Sequence, residues 1–161
     1  MNDFLLSAHV LAAILAVGPV AVAASMFPPY LRPAGAQGGG DGGPRLTAMR
    51  LLARICRVYA VLGALVPMFG FATAIGMGVM GDAWLMVSIG LTAIAAAVLV
   101  GLILPGQRRA LAALSGGGAE AAGFDPGRAR ARLAMWTGVF NLLWAVVTVL
   151  MIVRPGASHG A

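Results

Sequence analysis

The sequence predicts an all-α fold: a polytopic membrane protein, built as a four-transmembrane-helix bundle with cytoplasmic helical extensions. Three observations carry this. Of 161 residues, 60% are hydrophobic and only 10% charged, where a soluble domain has about a quarter charged. Four apolar runs, residues 4–27, 58–80, 83–104 and 133–153, each reach the roughly 20 residues that a helix needs to cross about 30 Å of hydrocarbon. The arginines gather between those runs. No run alternates with the period of two of a barrel strand, and a span must satisfy its own backbone groups, so each is expected to be a helix. The whole of 1–161 is read as one membrane domain.

The first run holds His9, the one side chain inside any of the four that ordinarily titrates near neutral pH, and no Asp, Glu or Arg lies in any of them. Ala21-Val22-Ala23 resembles a signal-peptide cleavage site, but Met1-Asn2-Asp3 carries an acid and no arginine, and the apolar stretch exceeds the usual core of about 7 to 15 residues. An uncleaved span is expected. Residues 33–44, PAGAQGGGDGGP, form a flexible cytoplasmic linker that cannot bury a core. Beyond it Arg50, Arg54 and Arg57 recur at helical spacing, so residues 46–57 are expected to be an amphipathic stalk leading into the second run. A tight Gly81-Asp82 turn separates the second and third runs. Residues 107–114 prolong the third run until Ser115-Gly116-Gly117-Gly118 breaks it, and Asp125-Pro126 has the form of a helix start, with Asp125 as N-cap.

Inside the runs, Pro19 and Pro67 each remove a backbone hydrogen bond and predict kinks. Small residues recur every four positions at Ala8, Ala12 and Ala16, at Gly70, Ala74 and Gly78, and at Ala93, Ala97 and Gly101. Such stripes let helix backbones approach closely in lipid.

Charge gives the threading. All eleven basic residues are arginine. Arg32, Arg45, Arg50, Arg54 and Arg57 lie between the first two runs, and Arg108, Arg109, Arg128, Arg130 and Arg132 between the last two, with only Arg154 on the other side. The positive-inside rule then puts both long connections in the cytoplasm and both termini outside. These arginines lack the interleaved aromatics of a nucleic-acid surface. They set topology, with anionic-lipid binding as the functional alternative.

At about 1.5 Å per residue, His9 lies roughly 8 to 10 Å below the outer surface, and Thr73, Ser88 and Thr148 fall at similar depth on the other three helices. A polar layer is expected there, with Ser88 or Thr148 as the hydrogen-bond partner of His9. Asn141 lies deeper, toward the cytoplasmic half. An ionisable group in a membrane is a functional candidate, and one nitrogen of His9 could bind haem iron or copper while the other is held by a neighbour. Met77 or Met151, nearer the outer edge, would supply the second ligand. A bis-histidine haem within one chain would need His159 of the outer tail to fold back.

Absences narrow the chemistry. No Asp or Glu lies in a span, which argues against a proton-coupled exchanger. The single Cys56 excludes an intramolecular disulfide and a multi-cysteine metal site. No phosphate-cradling glycine loop, nucleophile with an adjacent base, or carboxylate pair supports an enzyme.

The segments SAHVLAAILAVGP, GDAWLMVSIGL, LPGQRRAL and VLMIVRPG together resemble a family of small bacterial four-helix integral membrane proteins classed as a domain of unknown function. That resemblance implies the same four-span fold and residence in the bacterial inner membrane. The first span is also similar to those of copper-resistance membrane proteins and of membrane protoporphyrinogen oxidases, from which only His9 carries over. Ala16 and Val17 stand where those families show an aromatic before the glycine, Gly18-Pro19 replaces a glycine pair, and no intramembrane lysine is present. Three functions are therefore expected to compete: a haem b or copper protein using His9, a structural or assembly subunit that binds itself or another membrane protein, and a small transporter.

Overall fold

The computed structural model describes residues 2–31, 42–116 and 123–155. These form α1 (Asn2–Met26), a 3-10 turn (Pro28–Leu31), α2 (Gly42–Gly63), α3 (Leu65–Met77), α4 (Ala83–Val98), a π-helical segment (Leu99–Ile103), α5 (Leu104–Leu114) and α6 (Pro126–Val153). No strand occurs among the described residues. Joined end to end, the helices make four rods long and apolar enough to cross a membrane. Arg32, residues 33–41 of the expected linker, Gly117-Gly118 and His159 lie outside the described residues, while the last three expected linker residues, Gly42, Gly43 and Pro44, instead open α2.

Proline sets the irregularities. α1 runs unbroken through Pro19 and stops before Pro28-Pro29, whose rings cannot continue a helix. There the amide of Tyr30 donates to the Phe27 carbonyl at 3.1 Å and turns the chain. The stalk and the first half of the second span are one helix, α2, broken at Ala64, where a tighter bond from the Ala64 amide to the Val61 carbonyl at 3.1 Å replaces the helical pattern. Pro67 causes this break. It has no amide to offer Gly63, but it fits the first turn of α3, where such an amide needs no partner. α3 ends at Met77, three residues short of the expected 80, because Gly78 adopts φ +69° and closes the helix. The Gly78 amide donates to the Ile75 carbonyl and the Val79 amide to the Ala74 carbonyl, as in a Schellman motif.

The third span holds an irregularity beyond the expected uniform helix. Pro105 removes the amide that Gly101 would receive, and the preceding turn widens so that the Leu104 amide reaches back five residues to the Leu99 carbonyl. The helix then continues as α5, the expected prolongation. α6 starts as expected: the Asp125 carboxylate accepts from the amides of Gly127 at 2.8 Å and Arg128 at 3.1 Å.

α1 packs along α2 and α3, α4 along α6, and α1 touches α6. Around the bundle the spans follow the order second, first, fourth, third, and α2 against α5 closes the ring at the arginine-rich end. Most of the core lies toward that end, with Phe27, Leu31, Met49, Cys56 and Ile103 sealed among the helices. Arg45 ties it further, donating from Nε to the Tyr30 carbonyl at 2.6 Å. The opposite end has only a small cluster of Ala74, Trp84 and Leu85. Apolar side chains line the outside, Phe4 and Ile152 each 75% exposed. An outer surface this apolar needs lipid rather than water: the protein is a multi-pass membrane protein.

Candidate functional site

His9 on α1 is 8% exposed, and its Nδ1 lies 3.0 Å from the carbonyl oxygen of Val66 on α3. A carbonyl can only accept, so Nδ1 carries the proton and donates. The approach depends on a missing side chain. A Cβ at Gly70 would lie 3.0 Å from Cε1 of His9 and 3.3 Å from Nδ1. Val66 precedes Pro67, so the imidazole grips the second span beside its break and holds it to the first.

The expected polar layer is divided. The hydroxyls of Thr73, Ser88 and Thr148 donate to the carbonyls of Phe69, Trp84 and Trp144, each four residues back and each at 2.8 Å. Hydroxyls in membrane helices readily satisfy themselves this way. They therefore leave His9 to bond a backbone carbonyl in place of Ser88 or Thr148. Thr73 and Ser88 are buried, whereas Thr148 is exposed on the outer face. Asn141 sits in the other half of the bundle and donates from Nδ2 to the Ser25 hydroxyl at 3.2 Å.

A donating Nδ1 leaves Nε2 as the lone-pair nitrogen in the neutral ring, the tautomer a metal would need. Met77 shares a face of α3 with Val66 and Gly70, but seven residues beyond Gly70, about 10 Å along the axis. Met151 packs against the cluster of Ala74, Trp84 and Leu85. Among the described residues no group of three His, Cys, Asp or Glu side chains could hold a metal ion. His9 would thus be a lone nitrogen ligand.

Two further polar contacts join elements. At the opposite end the Trp84 indole donates to the Asp82 carboxylate at 2.9 Å, while the Arg154 guanidinium lies 5.7 Å from the centroid of the same ring. This fastens the Gly81-Asp82 turn to the end of α6. At the arginine-rich end Gln107 donates from Nε2 to the Cys56 sulfur at 3.5 Å, between α5 and α2, and its Oε1 is buried without a partner.

A cleft of about 290 Å³ opens between the end of α1 and the first half of α6, with Ser25, Pro28, Arg130, Thr137, Gly138 and Asn141 in its wall. Arg130 was expected to set topology, with anionic-lipid binding as the alternative, whereas Ser25 and Thr137 were not among the expected site residues. For Thr137 a signal was present: Arg130, Ala134, Thr137 and Asn141 follow helical spacing along one side of the last helix. Thr137 is 3% exposed, and its hydroxyl and the Asn141 Oδ1 have no hydrogen-bond partner. No described side chain here pairs a nucleophile with a base. Comparison of the chain with protein-family models, with curated proteins and with solved structures gives no match to any of them.

Proposed function

We propose that the protein is a non-enzymatic structural or assembly subunit of the bacterial inner membrane, with the arginine-rich end in the cytoplasm and both termini outside. One observation carries the assembly role. Of the three small-residue stripes, that of Ala93, Ala97 and Gly101 is turned outward on the third span, with Gly90 in line with it, and a Cβ at Gly90 or Gly101 would meet nothing within 4 Å. The other stripes are used inside the bundle, where Ala16 and Ala74 are buried. In lipid, close backbone approach along such a face is what holds helices together, so the outward stripe suits a helix of another chain. The segments resembling a bacterial four-helix family support the same placement in the membrane.

Crosslinking in the native membrane tests this. Ala97→Leu should abolish a crosslinked adduct seen with the wild type while leaving the monomer's thermal stability unchanged. A wild type that crosslinks to nothing would count against the proposal.

A second function is favoured by the His9 tautomer: a haem b or copper ion held by Nε2 as the single protein ligand. An absorption spectrum and elemental analysis of the purified protein decide it. A Soret band or bound copper that disappears in His9→Ala would support it, and their absence from the wild type would remove it.

A further inference from the structure

We infer that the cleft between α1 and α6 is a binding site for one anionic phospholipid at the arginine-rich membrane interface. The depth of its residues matches such an occupant. α6 has 28 residues, about 42 Å at 1.5 Å each, and exceeds the roughly 30 Å of hydrocarbon by about 12 Å. Counted back from Val153, the boundary falls near Ala134. Arg130 then stands in the headgroup layer, Thr137 about 5 Å inside the boundary and Asn141 about 10 Å inside. A phospholipid has the same order: phosphate outermost, ester carbonyls next, acyl chains below.

The chemistry of the wall matches it too. Arg130 is exposed and has no hydrogen bond or ion pair among the described residues, so its guanidinium is available to a phosphate. Arg128, by contrast, is held by Asp125 at 3.4 Å. Deeper in, the Thr137 hydroxyl lacks an acceptor, and burying such a group unpaired is costly. Asn141 repeats the pattern with one difference. Its amide is paired with Ser25 through one end only, and because the Ser25 hydroxyl can donate or accept, a half-turn of the amide would present Nδ2 to an ester oxygen instead. As the occupant enters, Thr137 and Asn141 turn toward it and both orphaned groups gain partners.

Size and shape complete the case. About 290 Å³ is at the lower end for a small-molecule site, enough for a headgroup and its glycerol but not for acyl chains. Those remain in the bilayer along exposed Val22, Leu142 and Val146. The room exists because position 138 is glycine, where a Cβ would meet nothing within 4 Å. A merely apolar annulus would need neither the orphaned polar atoms nor the notch.

Native mass spectrometry of the purified full chain tests this, with phosphatidylglycerol, phosphatidylcholine and inorganic phosphate as probes. Phosphatidylglycerol should bind in preference to phosphatidylcholine, and Arg130→Gln should weaken it about tenfold. Gly138→Leu, whose Cβ would meet nothing within 4 Å and whose longer side chain enters the cleft, and Thr137→Val, which keeps the shape and removes the hydroxyl, should each weaken it as well. Arg109→Gln, on the exposed side of α5, should leave it unchanged. Equal binding of the two lipids would overturn the proposal, as would equal losses in Arg130→Gln and Arg109→Gln, or normal binding by Gly138→Leu or Thr137→Val. Displacement of the lipid by millimolar inorganic phosphate would assign the cleft to a free anion and overturn it too.

Discussion

The imidazole of His9 occupies the space that a side chain at Gly70 would fill: a Cβ there would lie 3.0 Å from Cε1 of the ring. The ring cannot simply withdraw, because Nδ1 is bonded to the Val66 carbonyl at 3.0 Å. Gly70→Ala should therefore lower stability by about 1 to 2 kcal/mol through overpacking. His9→Ala should cost about 0.6 to 1.7 kcal/mol for the lost interhelical bond. Thermal unfolding in detergent checks both, and the double variant should lose less than the sum, because without the imidazole the alanine methyl has room. Strict additivity would mean that the two residues act independently.

Gln107 presents the reverse case. Its amide makes one long contact to sulfur and buries an oxygen without a partner. Replacing it with leucine removes the orphan and keeps much of the volume, so Gln107→Leu should be neutral or raise stability by about 1 kcal/mol. A fall of several kcal/mol in the same unfolding assay would show that the Cys56 contact is essential.

Cys56 itself has no exposed surface. A maleimide should modify it slowly in the folded protein and rapidly after denaturation, which mass spectrometry can follow. Fast labelling of the native protein would mean that α2 and α5 separate readily.

The Asp125 cap is exposed and local. Asp125→Ala should cost about 1 kcal/mol and Asp125→Asn much less, since both wild-type bonds use one oxygen. Arg128→Gln should change little, because its ion pair with Asp125 lies in solvent. Melts of the three variants give the comparison.

Orientation can be read by labelling. Gly81 is exposed in its turn, so Gly81→Cys should react with an impermeant maleimide in intact cells, and Ser115→Cys only after permeabilisation. The opposite pattern would invert the proposed threading.

Much of the fold was legible because its signals are local. Pro67 announces a break wherever its helix packs, Asp125-Pro126 is a cap by its own chemistry, and a run of some 20 apolar residues is a span by length alone. Pro105 was equally visible, and its widened turn could have been expected from the amide it lacks. The site was less legible. The partner of His9 could not be found among polar side chains, since it is a backbone carbonyl, and every backbone offers one. Thr137 passed unnoticed for a related reason, since a threonine in a membrane helix normally satisfies itself.

By itself the sequence determined that the chain crosses a membrane, how many times, that the second span breaks at Pro67 and the last helix starts at Asp125, and which ends carry positive charge. Each of these follows from hydrophobicity, proline geometry and capping, which act over a few residues. Only the tertiary structure decided which face of each helix turns inward. A helix that is apolar all round carries no moment to orient it, so packing alone sent the Gly70 stripe inward to meet His9 and the Ala93 stripe outward. Packing also left Thr137 and Asn141 short of partners in the wall of the cleft that opens beside Arg130.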